Sequence, residues 1–357
     1  MTPPTAARPT TEPRPPTERA ASWLRVRLGR AVVLAYATAL LLPGPGLWLR
    51  RPQALPLTHL TVHTGPLLLS LVLFSAGLQV PVRALGHLLR RPTALLAGLM
   101  LHLAIPLAVV PLVAFLLRRT PDTDGGSGLL TAMILTVAMP VAAGATVWTD
   151  KGEGDQPTMV GLVLASTLAS PLTTPFLLAT LAPLLSGGYA DTLAATGRLA
   201  EGGFALTAVV LPCAGGLLGA LVLPARWLGR LRGTVAPSAL AGSLVLTYVN
   251  ACGALGAVLA RPRPLLFAAA LGVACLVCGL SFALGRVAAR VLRLEAAVAS
   301  SLTLACGMNN SSASAVLITA SLPGKPHLLL PVLAYGLLQK AAASRIVTRP
   351  QPSRCGC

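Results

Sequence analysis

The chain has 357 residues, of which 54% are hydrophobic and only 11% charged, and its mean hydropathy is +0.75. A soluble domain carries about 25% charged residues, so a water-exposed globular fold is excluded. The net charge of +18 would suggest nucleic acid in a soluble protein, but the basic residues fall in loops and tails, with no basic helix interleaved with aromatics. The expected partner is the lipid bilayer, and no nucleic acid is expected.

Residues 1–30 are rich in Pro, Thr and Arg and lack an apolar core. They read as a disordered basic tail, with no cleavable signal peptide. Ten apolar segments follow, at roughly 31–49, 65–82, 93–117, 129–149, 157–185, 203–223, 239–260, 265–289, 296–320 and 328–347. Most can cross a hydrocarbon core of about 30 Å as a helix of about 20 residues. Barrel strands run about 10 residues and alternate polar with apolar; these segments are apolar on every face, so the expected fold is all-α. The first segment is short and broken by Pro43-Gly44-Pro45-Gly46. Arg50-Arg51, Arg90-Arg91, Arg118-Arg119 and Arg261-Pro262-Arg263 mark loops. A tail at 348–357 ends in Cys355-Gly356-Cys357, which is not a prenylation box, because that needs Cys fourth from the end.

Lys and Arg set the orientation of short-loop membrane proteins. With the N-terminus in the cytoplasm, 20 basic residues fall inside and 8 outside, which accounts for all 28. Both termini are therefore expected in the cytoplasm. Arg outnumbers Lys by 25 to 3, as in a GC-rich bacterium, so the expected location is the inner (plasma) membrane. The first and sixth spans start 172 residues apart, and the third and eighth show the same offset. Five spans per half is an odd number, so the halves, 31–185 and 203–347 joined by a connector at 186–202, are expected to be inverted relative to each other. Transporters are often built this way, with the binding site near the midplane at broken helices.

All ten acidic residues lie in tails, in loops or at span ends. A midplane carboxylate is the usual proton carrier or sodium ligand, and none is present. Intramembrane polarity is instead neutral and gathered in two places: Pro140 to Thr149 in the fourth span, and Cys306 to Ser314 in the ninth. Pro or Gly beside small polar residues interrupts a helix at membrane depth, and the freed N–H and C=O groups must line a cavity or pair internally. Pro140, Gly144 and Gly307 are the expected helix breaks. A half-helix N-terminus there offers N–H donors and partial positive charge to an anion. Thr146, Asn309, Asn310 and Ser311 are the expected substrate-binding residues. Adjacent amides on a helix point about 100° apart, so Asn309 and Asn310 do not both hide in one helix contact. Ser166, Thr167, Ser170, Thr173 and Thr174 read first as helix-packing residues. His102, before Pro106, is the only His within a span and is left between packing and proton handling. Cys213, Cys252, Cys275, Cys278 and Cys306 read as small hydrophobes.

The same segments carry a family likeness. Phe74-Ser75-Ala76-Gly77-Leu78-Gln79-Val80, Arg91-Pro92, Ala104-Ile105-Pro106, Met139-Pro140, Gly154-Asp155, Ser170-Pro171-Leu172-Thr173-Thr174-Pro175 and Gly307-Met308-Asn309-Asn310-Ser311 occur in order. The chain resembles the bile acid:sodium symporter family over about 31–347. The resemblance implies ten transmembrane helices in two inverted five-helix repeats, core and panel domains, and broken crossing helices at the fourth and ninth spans. It implies transport of an organic anion coupled to sodium. It carries over as partial ion ligands only Asn309 and the carbonyls of Cys306 and Met308. Where the family has oxygen-bearing ligands, this chain has Ala305, Ala145-Thr146, Met159, Val163 and Leu101, so the resemblance implies Na+ while most of its ligands are absent; weak or absent sodium dependence is expected, and no other cofactor or metal.

The expected function is a secondary transporter of a small organic anion, working by alternating access. An intramembrane enzyme would need a metal cluster or an activated nucleophile, and Ser311 has no base partner in the sequence. A non-transporting receptor on a transporter fold is motivated only by the missing ion ligands; ligand binding without flux would distinguish it. The sequence sets no oligomeric state.

Overall fold

A computed structural model describes residues 27–54, 61–81, 92–118, 126–260 and 264–347. Most of the basic N-terminal tail, Cys355-Gly356-Cys357, Arg90-Arg91 and Arg261-Pro262-Arg263 lie outside the described residues. The described chain is helical apart from short connections and one two-residue strand pair, in which Gln53–Ala54 meets Thr61–Val62.

The helices in chain order are α1 (Leu28–Leu41), α2 (Pro43–Leu49), α3 (Thr64–Leu78), α4 (Pro92–Leu117), α5 (Ser127–Val137), α6 (Ala145–Lys151) and α7 (Gln156–Leu181). They continue as α8 (Gly188–Leu199), α9 (Leu211–Val222), α10 (Ala225–Ala260), α11 (Pro264–Val291), α12 (Ala296–Gly307), α13 (Ser311–Ser321) and α14 (Leu329–Val347). A π-helical stretch, Ala200–Val210, joins α8 to α9. Among the described residues five helices are long and apolar enough to cross a membrane, or six if the bent pair α1 and α2 is one span. Their outer faces are apolar: Leu41, Leu172, Val222 and Leu265 are 77% exposed or more. Such faces suit lipid and would aggregate in water.

The first expected span, 31–49, is broken where Pro43 begins the Pro-Gly repeat. α1 and α2 meet at 96°. Leu42 leaves the helical region (φ −132°, ψ 66°), because the residue before a proline is pushed out of the α conformation. Tyr248 on α10 repairs the break: its hydroxyl donates to the Leu42 carbonyl at 2.6 Å and accepts the Gly46 N–H at 3.2 Å. Tyr248→Phe leaves both backbone groups short of a partner, so it is expected to lower stability by about 1–3 kcal/mol. The readout is a fall in the unfolding temperature in detergent.

The segment expected as a connector at 186–202 contains α8, with Asp191 in its first turn and Arg198 in its last, where each complements the helix dipole. The tail expected to run to residue 30 ends earlier, because α1 already begins at Leu28.

Two groups of helices assemble. α1, α2, α3, α9 and α10 pack on one another, while α4, α7, α11, α12 and α14 form the second group. Within the first group α3 and α9 run parallel at unusually close range, with Ser70 beside Ala208, just before α9, at one end and Leu78 beside Gly219 at the other. A Cβ on Gly77 would collide with the Cys213 carbonyl, and a Cβ on Gly216 with the Phe74 carbonyl. The two contacts mirror each other, so the glycines let backbone lie on backbone. Arg232 of α10 closes the end of α3, donating from Nε to the Leu78 carbonyl and from Nη2 to that of Val80, at 2.9 and 3.1 Å.

Candidate functional site

The expected fourth span is two helices, α5 and α6, with residues 138–144 between them. The expected ninth is also two, α12 and α13, with residues 308–310 between them. The two gaps touch. Val141 and Asn309 form an antiparallel bridge. The Ala142 N–H donates to the Met308 carbonyl at 2.8 Å, and the Asn310 N–H donates to the Pro140 carbonyl at 2.9 Å. A two-residue piece of sheet thus replaces the helical bonds that each chain has given up, as backbone away from water requires.

Three side chains satisfy further freed groups. Ser166 accepts the Val141 N–H at 3.1 Å, Thr174 donates to the Ala138 carbonyl at 2.9 Å, and Asn310 Oδ1 accepts the Ala313 N–H at 3.1 Å, capping α13. Ser166 and Thr174 therefore support the break, beyond the packing role read for them from sequence. Thr167 and Ser170 bond only within α7.

The expected helix-breaking residues differ in their reasons. Pro140 lacks the N–H that would continue α5, so it ends that helix. Gly307 is constrained by space: a Cβ there would run into the Phe282 ring on α11. Gly144 is under neither constraint. It has φ −63°, and a Cβ would meet nothing within 4 Å. Gly144 thus stands at the start of α6 without being needed for the break.

Beside the crossover lies a cavity of about 800 Å³ between the two helix groups. Thr146, Asn309, Asn310 and Ser311 all line it, so the structure brings together the four expected substrate-binding residues. Met308 lines it as well, and Cys306 does not. His102 also stands apart, buried on α4 with a ring bond to the Met139 backbone. On the side of the crossover away from Leu28 and Pro81, which line the cavity, Arg50 Nη2 donates to Thr319 Oγ1 at 3.2 Å, tying the first group of helices to α13.

Several site residues went unrecognised in the sequence, and most lie on α14. Tyr335 is fully buried; its hydroxyl accepts from Asn309 Nδ2 at 2.9 Å and donates to the Gly307 carbonyl at 3.0 Å. Gln339, one turn on, donates to Ser311 Oγ at 3.3 Å, and its Oε1 is buried with no partner among the described residues. Gly336 is placed so that a Cβ would press on Ser311 Oγ at 2.9 Å. Lys340 follows and lines the cavity. Gln156 also lines it while donating to the Thr146 carbonyl at 2.9 Å. The spacing 335, 336, 339, 340 marks one helix face, but the polarity of that face is spread too thinly to stand out beside Asn309-Asn310.

Of the positions that the family resemblance assigns to sodium, four are apolar in side chain and packed, while Thr146 and Asn309 are polar and line the cavity. Ala145, Met159, Val163 and Ala305 are buried. The Gly307 and Met308 carbonyls accept bonds within the chain, and Asn309 Nδ2 donates to the Tyr335 hydroxyl. A hard cation takes several oxygen ligands, and Ala145, Met159, Val163 and Ala305 offer it no side-chain oxygen.

Two comparisons with known proteins bear on the chain. A family model described as the sodium bile acid symporter family matches residues 66–261. No curated protein matches the chain.

Proposed function

The chain belongs to the sodium bile acid symporter family, matched over more than half of its length, and on that premise we propose that it carries a small, amphipathic organic anion across the membrane by alternating access, without sodium. It is a multi-pass membrane protein of a transporter family, and family members of this type move solutes and are not enzymes.

One observation carries the reading: the cavity between the two helix groups ends on the crossed breaks at 138–144 and 308–310. Its walls are mostly apolar, with a few convergent polar groups, and its volume lies within the range of about 300–1,000 Å³ that suits small organic ligands. The α13 N-terminus reaches it at Ser311, and the partial positive charge of a helix N-terminus favours the anionic end of a solute.

The ten-span, inverted-repeat arrangement belongs to the same proposal. α1 with α2, α3, α4, α5 with α6, and α7 make the first five spans. The π-helical stretch with α9, then α10, α11, α12 with α13, and α14 make the second five. The paired breaks, 167 residues apart from Pro140 to Gly307, support this division. The excess of loop arginines supports cytoplasmic termini in a bacterial inner membrane.

Sodium independence is supported by the apolar side chains at Ala145, Met159, Val163 and Ala305 and by the chain's own bonds to the nearby carbonyls. Uptake of an organic anion into proteoliposomes is expected to hold its rate when sodium is replaced by choline on both sides. Loss of uptake in choline would overturn the sodium-free reading and leave the transporter reading standing. Saturable ligand binding with no flux under either condition would favour a receptor instead.

A further inference from the structure

The cavity holds a lone cation that the proposed transport does not yet use. We propose that the Lys340 ammonium is the fixed counter-charge of the cavity, pairing with the carboxylate or sulfonate of the transported anion in place of a bound metal ion. The inference rests on the organic-anion reading and names the group that recognises the anion.

Charge comes first. Three cavity-lining side chains carry formal charge: Asp150, Lys151 and Lys340. Asp150 and Lys151 are exposed neighbours on α6 and offset one another, and Lys151 also lies over the Trp148 ring at 5.0 Å. Lys340 is partly buried and makes no ion pair or hydrogen bond among the described residues. A lone ammonium inside a membrane protein is costly and marks a functional site by default. It is retained when something of opposite charge shares the space with it, and among the described residues no carboxylate does so except the exposed Asp150.

Placement comes second. Lys340 shares the α14 face of Tyr335, Gly336 and Gln339, the face that grips the crossover through Asn309, Gly307 and Ser311. Five residues beyond Tyr335, it stands about 7–8 Å further along the helix. An anion between Lys340 and the start of α13 would meet an ammonium on one side and a helix N-terminus on the other. Gln339 Oε1, buried on this face without a partner among the described residues, can take a hydroxyl or amide N–H from the body of the solute but not its anionic end. The apolar remainder of the cavity, from Leu69 and Val72 to Leu240 and Leu244, would hold the body of an amphipathic solute.

The chemistry also accounts for the missing sodium ligands. A transporter of anions must offset the buried negative charge. Elsewhere a mobile cation can do this; here a tethered one does, and it stays with the protein as the solute leaves.

The test uses the full chain in lipid nanodiscs, with tritiated taurocholate and benzoate as probes, one a sulfonate and one a carboxylate. Saturable binding to wild type is expected, unchanged by sodium. In Lys340→Gln the affinity is expected to fall about tenfold or more, the loss of one charge-assisted contact, and Lys340→Arg is expected to restore most of it. An unfolding temperature for Lys340→Gln close to wild type separates charge recognition from damage to the fold. Equal binding by wild type and Lys340→Gln would overturn the role of Lys340 and leave the organic-anion reading intact. Wild type that binds neither probe would overturn the organic-anion reading, and this inference with it.

Discussion

Asn309→Leu is expected to reduce anion uptake by about tenfold to a hundredfold while leaving the protein folded. The leucine removes the amide that donates to the Tyr335 hydroxyl, at the head of a chain that runs on to the Gly307 carbonyl. It also removes a polar group that faces the cavity. A buried hydroxyl deprived of a partner costs about 1–3 kcal/mol, and every 1.4 kcal/mol is about a tenfold change. The bridge between Val141 and Asn309 is made by backbone, so it does not depend on the side chain, and the crossover itself survives. Proteoliposome uptake measured beside the unfolding temperature checks the two halves of this expectation. Uptake within error of wild type would show that Asn309 serves the helix break alone. A conservative partner variant, Asn309→Gln, keeps the amide and is expected to retain part of the activity.

Gly216→Val is expected to have the largest effect on the fold. A Cβ at this position already collides with the Phe74 carbonyl, and the mirrored contact at Gly77 leaves no slack on the other helix of the pair. The obstacle is backbone, which cannot rotate aside as a long side chain could. Overpacking a core typically costs about 1–3 kcal/mol, and here α3 and α9 must also separate along their length, losing the packing that associates helices in lipid. The expected result is little or no monodisperse protein on detergent extraction, read by size-exclusion chromatography. Gly215→Ala, one residue away, is the control. Its added methyl would lie 3.9 Å from the Phe74 ring, in ordinary contact, so it should extract like wild type.

How much of this was legible in the sequence depended on whether a feature was local. The break at Pro140 and that at Asn309-Asn310 were legible because proline and paired amides are costly in an unbroken membrane helix. The 96° turn after Leu41 was legible only as an interruption, because the angle depends on Tyr248, more than two hundred residues away. Gly144 and Gly307 look alike as sequence, yet only Gly307 faces a ring that excludes a side chain. The α14 face was missed for a different reason. Lys340 falls inside the expected 328–347 span, but the count of loop charges assigned it to the cytoplasmic tail, where a lysine needs no explanation. Tyr335 and Gln339 were missed because their partners, Gly307, Asn309 and Ser311, come from another helix pair, which a single sequence does not bring together.

The bend between α1 and α2 bears on the surrounding lipid. α1 has 14 residues and rises about 21 Å before the chain turns aside, while the hydrocarbon of an average bilayer is about 30 Å thick. Trp48 on the sideways turn is exposed, as suits an indole at the headgroup level. On the proposed ten-span reading, the upright part of the first span would be shorter than the membrane around it. Lipid beside it must thin, or flanking residues must reach outward, at a small energy for each ångström of mismatch. A helix group anchored through such a span would favour a thin bilayer, and membrane thickness itself would then bias where this half of the protein rests.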